Sequence, residues 1–283
     1  MELRRRPGPS VRVRVAERSG GVTLRREDRL ATEEPLEVRL GWPGRPPQRV
    51  GVTMRTPGHD FELAAGLLFA EGLLSATALD SVAYCTDTRL TREQEFNVVT
   101  VTLSSAPPRT PEHREDTVMA AASACGVCGA DSIEGVLALT GVRGRMTDAG
   151  VDPDVLMALP GRLRDAQRVF EATGGLHAAG LFSTTGELQL LREDIGRHNA
   201  VDKVVGARIL AGEPTAAPVL CVSGRIGFEI VQKAVAAGIG VLAAIGAPSS
   251  LAVRLAEEAG LGLVGFLSPQ RFVVYAGGER IGV

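Results

Sequence analysis

The sequence predicts an α/β protein in three parts: a small α+β N-terminal domain at residues 11–103, a linker and Cys-x-x-Cys loop at 104–130, and an α/β domain at 131–283 with a parallel βαβαβ core. The core follows from three short apolar runs, Val219 to Ser223, Val241 to Ile245 and Leu261 to Leu267, separated by helical segments at Phe228 to Ala237 and Ser250 to Ala259. Each helix stops at a glycine, Gly238 and Gly260, the residue type best suited to the left-handed position past a helix end. Strand, helix, strand, helix, strand at this spacing requires parallel strands with right-handed crossovers. The N-terminal domain follows from alternation of apolar with polar residues at Val11 to Val15, Leu36 to Trp42 and Val50 to Met54. The boundary follows from Ser104 to Glu115, which holds three prolines and no periodicity.

Taken in order, Met1 to Ser10 has three consecutive arginines and then Pro-Gly-Pro in place of an apolar stretch, so it is no secretory signal and a cytoplasmic protein is expected. Pro43 to Pro47 forms the tip of a hairpin, and Thr56-Pro57-Gly58 breaks the sheet. A helix runs from His59 to Leu74 with Asp60 as its N-cap, followed by strands at Val82 to Cys85 and Phe96 to Leu103. Met119 to Ala130 is too short and glycine-rich to assign. A helix near Asp154 to Thr173 leads to a hairpin, Leu176 to Ser183 and Glu187 to Arg192, around Thr184-Thr185-Gly186. Drawn as a helix from Asp194, the next segment puts His198, Asn199, Asp202 and Lys203 on one arc and Ala200, Val201, Val204 and Val205 on the other. Arg271 to Tyr275 adds a strand, and Gly277-Gly278 a terminal turn.

Composition narrows the function. The 283 residues are 45% hydrophobic and 23% charged, a globular profile, and with aromatics at 4% the core must be aliphatic. A net charge of -2 without a basic stripe argues against nucleic acid or a membrane surface as partner. Ala234 to Ala247, the nearest approach to a spanning segment, is interrupted by glycines. Four cysteines, Cys85, Cys125, Cys128 and Cys221, are too few and too unevenly spaced for a disulfide framework and are expected to be reduced.

A parallel sheet would bring three loops to one edge: Ser223-Gly224-Arg225-Ile226-Gly227, Gly246-Ala247-Pro248-Ser249-Ser250, and Leu267-Ser268-Pro269-Gln270-Arg271. The first two lead into helices, whose free N–H groups favour an anion, and Ser223, Arg225, Ser249 and Ser250 can add donors. A phosphate-bearing ligand suits this edge, although the same turns serve as ordinary strand-to-helix connections with a serine cap. Cys125-Gly126-Val127-Cys128 can hold a metal, cycle between dithiol and disulfide, or present a low-pKa thiolate with a second thiol nearby. His177 and His198 could complete a metal site only through tertiary contacts. The bland reading of His198 and Asp202 is an i,i+4 pair on a solvated face; the sharper one is a face lining a cleft. Zinc nucleobase deaminases use H-x-E before P-C-x-x-C, whereas here the order is reversed and Ala179 stands where the Glu would be.

The ordered set Met54 to Ala64, Cys125 to Gly129, Gly174 to Ala179, Arg192 to Lys203, Ser223-Gly224-Arg225 and Ala247 to Ala252 resembles the formate dehydrogenase accessory sulfurtransferase family, FdhD, from about Glu34 to the C-terminus. The resemblance implies a sulfur carrier that accepts persulfide sulfur from a cysteine desulfurase and passes it to the molybdenum or tungsten bis(molybdopterin guanine dinucleotide) cofactor of formate dehydrogenase. It implies Cys125 as the persulfide cysteine, Cys128 as its neighbour, and a cofactor-binding stretch at Phe266, Leu267, Ser268, Pro269, Gln270 and Arg271. It also implies a cytidine-deaminase-like C-terminal domain and a homodimer. GDP would mimic the cofactor's nucleotide, with Arg225, Ser249 and Ser250 on its phosphates and His177, His198 and Asp202 facing the cleft. The chain departs from the family pattern at Ser268-Pro269, where an Arg-Gly pair is usual, and at Gly240 and Gly246. The rival classes are a zinc-dependent deaminase-like hydrolase and a thiol-disulfide oxidoreductase.

Overall fold

A computed structural model describes residues 6–86, 90–91, 94–111, 147 and 150–283. Cys125, Cys128 and the Met119 to Ala130 segment lie outside the described residues, as do residues 112–115 of the predicted boundary.

The first two strands, β1 (Ser10–Ser19) and β2 (Val22–Ala31), form a separate antiparallel ribbon about Gly20 and Gly21. The alternation at Val11 to Val15 therefore pairs with β2 and not with the next hairpin. That hairpin, β3 (Glu34–Trp42) with β4 (Arg45–Arg55), joins β5 (Leu79–Tyr84) and β6 (Val98–Leu103) in a four-stranded sheet of order β4-β3-β6-β5. Helix α1 (Asp60–Ala70) covers it. His59, with φ 58°, precedes the helix as its cap, so Asp60 is not the cap. Its carboxylate is fully buried and receives Arg55 Nε at 3.1 Å and the Tyr84 hydroxyl at 2.7 Å. Burial alone would raise Asp60, but Arg55 and Tyr84 hold it below the ordinary carboxylate range.

The second sheet has six strands in the order β12-β11-β10-β9-β7-β8. Its strands are β7 (His177–Phe182), β8 (Leu188–Asp194), β9 (Val219–Val222), β10 (Val241–Ala244), β11 (Gly262–Gly265) and β12 (Val273–Ala276). Strands β9, β10 and β11 are parallel, as predicted, and the rest antiparallel. Helices α2 (Pro153–Ala166), α3 (Arg168–Thr173), α4 (Arg197–Leu210), α5 (Phe228–Ala237) and α6 (Ser250–Ala259) complete the fold. The predicted helix at Asp154 to Thr173 is thus two helices, broken at Gln167. The helix drawn from Asp194 starts at Arg197, because Asp194 ends β8. A short 3-10 turn at Gly278–Arg280 replaces the terminal hairpin.

The period of two decides how the sheet packs. On β9 and β10, Val219, Cys221, Val241 and Ala243 face Leu156, Leu159 and Leu163 of α2. Leu220, Val222, Leu242 and Ala244 face the opposite way, into a cluster shared with α4, α5, α1 and the first sheet. That cluster runs without interruption from Leu36 and Val101 to Leu255 and Leu263, so the two halves share one aliphatic core. They meet where α1 crosses α4 at two glycines. A methyl group on Gly66 would overlap the carbonyl of Asp202, and one on Gly206 would overlap the carbonyl of Glu62.

Candidate functional site

Parallel β9, β10 and β11 deliver their carboxyl ends to one edge of the sheet. Strand β7 runs the other way, with Ala179 opposite Val222, so its first residue, His177, sits at this same edge with Asp194 opposite it. Beyond the strands the loops stay in register. Ile226 and Pro248 form a parallel bridge, Ile226 N donates to Ala247 O at 3.1 Å, and Ser249 N donates to Ile226 O at 2.9 Å. Phe266 N donates to Gly246 O at 3.1 Å, and Leu267 N to Ala244 O at 3.0 Å. The structure therefore brings together His177, Ser223, Gly224, Arg225, Ser249, Ser250, Phe266 and Leu267, together with the start of α4.

Several expected donors are already committed. Ser223 Oγ accepts from Ala178 N at 2.9 Å, and Ser249 Oγ caps α6 by accepting from Ala252 N at 3.3 Å. Ser268 is turned onto its own loop: its Oγ donates to Arg271 O at 3.0 Å and accepts from the N–H groups of Gln270 and Arg271. The Ser268-Pro269 loop is thereby closed on itself. Phe266 has φ 51°, unusual for a side chain with a Cβ, and is 43% exposed beneath Arg271, whose guanidinium lies 5.9 Å from the ring centroid.

The charge on this edge is positive. Among the described residues, Arg197, Arg225 and Arg271 have no carboxylate within ion-pair distance. The His177 imidazole is held below its ordinary value by burial, then by Arg197 and Arg225, with Asp194 pulling the other way. His198 is pushed down to about 3 by burial and by Lys233, Arg197 and His177. Glu229 Oε2 lies 3.1 Å from His198 Nε2, and with the imidazole held neutral by burial first and by the neighbouring cations second, the contact is a close polar approach and not a charge pair.

Asp202 does not share this setting. Its carboxylate is buried and receives Lys233 Nζ at 2.7 and 2.9 Å, one turn further into the protein than His198. Asp202 and His198 are therefore neither an i,i+4 pair nor a solvated face: His198 meets Glu229 and Asp202 meets Lys233. Lys203 and Asn199 are buried as well. Asp194 Oδ2 forms an ion pair with Lys203 Nζ at 2.7 Å and accepts from Thr56 N at 3.1 Å, while Oδ1 accepts from Gly196 N at 2.8 Å and Asn199 Nδ2 at 3.0 Å. Lys203 Nζ also donates to Thr56 O at 2.9 Å, and Asn199 Nδ2 to Met54 O at 2.8 Å. Asp194, Asn199 and Lys203 thus stitch the C-terminal half to Met54 and Thr56 at the end of β4. Arg197, missed in the sequence reading, faces the edge instead.

The cluster around Lys233 predicts an unusual stability profile. Glu71, which closes α1, is pushed up to about 7 by burial, with Asp202 and Glu229 adding to the push and Lys233 and Arg109 opposing it. Its stabilisation is present below the unfolded value and lost as pH rises toward about 7. His198 behaves oppositely: its stabilisation is present above the unfolded value and lost as pH falls toward about 3. Between the unfolded value of Glu, about 4.3, and that of His, about 6.5, the two slopes cancel. Glu71→Gln is expected to uncover the His198 slope, losing up to about 1.4 kcal/mol per pH unit below pH ~6.5. Urea unfolding at a series of pH values checks this, and a profile parallel to wild type would refute it.

The other two cysteines are unlike a reactive pair. Cys221 is fully buried in β9, its thiol pushed up to about 12 by burial. Cys85 accepts from Arg39 Nη1 at 3.7 Å. Among the described residues no cluster of His, Cys, Asp and Glu has the arrangement of a metal site, and no helix is long and apolar enough to cross a membrane.

The chain is 49% identical over 272 residues to the sulfur carrier protein FdhD of Streptomyces avermitilis, covering 93% of this chain and 92% of that one. It is 46% identical to the protein of the same name from Mycolicibacterium paratuberculosis, covering 96% and 98% of the two chains. The crystal structure of a putative formate dehydrogenase accessory protein from Desulfotalea psychrophila superposes with a TM-score of 0.72, at 23% identity, over 96% of this chain and 99% of that one, a likeness of fold. The model of the FdhD/NarQ family matches residues 31–282, everything beyond the N-terminal ribbon. A match of that extent, with relatives near half identical along almost their whole length, makes this chain a member of the FdhD/NarQ family.

Proposed function

We propose that the protein is a sulfur carrier that accepts persulfide sulfur on Cys125 from a cysteine desulfurase and delivers it to the molybdenum or tungsten bis(molybdopterin guanine dinucleotide) cofactor destined for formate dehydrogenase. What carries the reading is the pair Cys125-x-x-Cys128 in a chain near half identical to relatives named sulfur carriers. The Cys125 thiolate attacks the outer sulfur of the donor's persulfide, a new S–S bond forms on Cys125, and the donor leaves as a thiolate. No outside oxidant is required. Sulfur would then pass from Cys125 to the cofactor, the client and substrate of the carrier: the S–S bond breaks, Cys125 leaves as a thiolate, and the two electrons that take the sulfur to the sulfide level would come from the client's own reduced metal. The edge of His177, Arg225, Phe266 and Arg271 supports binding of that client, since a guanine dinucleotide is anionic and bears a stacking base. In this reading Phe266 to Arg271 receives the nucleotide, with Ser223, Gly224, Ser249 and Ser250 shaping the floor. Because Ser268 is closed onto its own loop, the serines contribute shape more than charge. Cytoplasmic maturation by a homodimer with paired ligand sites belongs to the same proposal.

Incubation with a desulfurase and cysteine, followed by intact-mass measurement, tests it. Wild type is expected to gain sulfur that reductant removes, and Cys125→Ala to gain none. Absence of sulfur together with a metal released on denaturation would make the Cys-x-x-Cys pair a metal site and end the carrier reading. A reversible Cys125–Cys128 disulfide with activity independent of any desulfurase would point to an oxidoreductase instead.

A further inference from the structure

We propose that Arg197 is the inner phosphate-binding side chain of this edge, and that with Arg225 and His177 it forms a site for a diphosphate group. The inference rests on the reading above that the client carries a nucleotide, and it names the side chain on which that nucleotide's charge is held. Arg197 opens α4, and its Nε is buried without a hydrogen-bond partner among the described residues. A buried guanidinium N–H left unpaired is costly, and a site that keeps one awaits an acceptor. Carboxylates do not supply it. Asp194, three residues before it in the chain, is spent on Lys203, Thr56, Gly196 and Asn199.

The location is defined by Gly224. A Cβ built there would lie 3.2 Å from His177 Nδ1 and 3.7 Å from Arg197 Cδ, so the missing side chain lets the imidazole and the arginine close together on one backbone position. Arg225 follows directly in the chain, and both guanidinium groups press on the same imidazole. Helices α4 and α5 begin nearby at Gly196 and Gly227, neither of which caps its helix with a side chain, whereas α6 is capped by Ser249. Two planar guanidinium forks beside two uncapped helix starts match two linked phosphates better than a single carboxylate.

Titration calorimetry on the full chain with GDP, inorganic pyrophosphate and guanosine, for wild type, Arg197→Ala, Arg197→Lys and the surface control Arg254→Ala, decides the matter. Arg197→Ala is expected to weaken GDP and pyrophosphate by about tenfold or more while leaving guanosine unchanged. Arg197→Lys, which keeps the charge and the fold but loses the fork, is expected to recover only part of the affinity. Equal affinities in Arg197→Ala and Arg254→Ala would overturn the assignment. So would a parallel loss of guanosine binding, which marks a structural role. Pyrophosphate bound through Arg197 without any binding of GDP would keep the diphosphate site and remove the nucleotide client from the proposed function. Wild type that binds neither would overturn the site itself, and sulfur loading of Cys125, measured separately, would still judge the carrier.

Discussion

Gly206→Ala is expected to unfold the protein or leave it insoluble, although alanine is the better helix former by about 1 kcal/mol. Position 206 lies in the interior of α4, where propensity alone predicts stabilisation. Packing decides otherwise, because the new methyl group would overlap the backbone carbonyl of Glu62 on α1, and a backbone cannot rotate away as a side chain can. Separating the two helices would open the core on both sides of the crossing, and overpacking of this kind costs at least about 3 kcal/mol, a large part of a typical domain's stability. Gly66→Ala meets the carbonyl of Asp202 and is expected to behave alike. Gly161→Ala supplies the control: it is also inside a helix, nothing lies within 4 Å of the added methyl, and it is expected to stabilise by about 1 kcal/mol. Thermal melts of the three variants suffice. A Gly206→Ala protein as stable as Gly161→Ala would mean that the helices can part freely, contrary to the packing described.

Lys203→Met is expected to cost about 3–5 kcal/mol, because it strands the fully buried Asp194 carboxylate without its cation. The loss should be larger than for any exposed ion pair, such as Arg208 with Glu213, whose removal is expected to change stability by no more than about 1 kcal/mol. Combining Lys203→Met with Asp194→Asn is expected to cost clearly less than the two single changes added together, since the stranded charge is then gone. Additive losses in that cycle would show that Lys203 acts through its hydrogen bonds to the carbonyls of Thr56, at 2.9 Å, and Glu193, at 3.3 Å, and not through Asp194.

These two sites also show what could be read in the sequence and what could not. Helices α5 and α6 were legible to the residue, because their strands are buried on both faces and their ends carry glycines in the left-handed conformation, Gly238 and Gly260. Strand β2 was not, because Val22 to Ala31 is mostly exposed, packing beyond β1 chiefly on α3, and carries five charged residues, so burial imposes no period on it. The polar arc of α4 looked like a surface for a plain reason: its partners, Met54, Thr56 and Lys233, are remote in the chain, and helical periodicity sees only neighbours. Of the candidate site, the three strand-end loops were legible from topology, whereas His177 reaches the edge only because β7 runs antiparallel beside β9, a pairing that local pattern does not show. Arg197 was hidden because the helix was started at Asp194, three residues early, which placed its side chain within the helix instead of at its mouth.

The ribbon formed by β1 and β2 stands outside the shared core, with Val11, Val22, Leu24 and Leu30 exposed and its turn at Gly20 and Gly21 facing open space. It therefore offers an attachment point. A dye, an affinity tag or a tether to a solid support inserted at that turn would leave the sheet edge untouched, so one labelled molecule could serve both the sulfur-loading and the nucleotide-binding tests set out above.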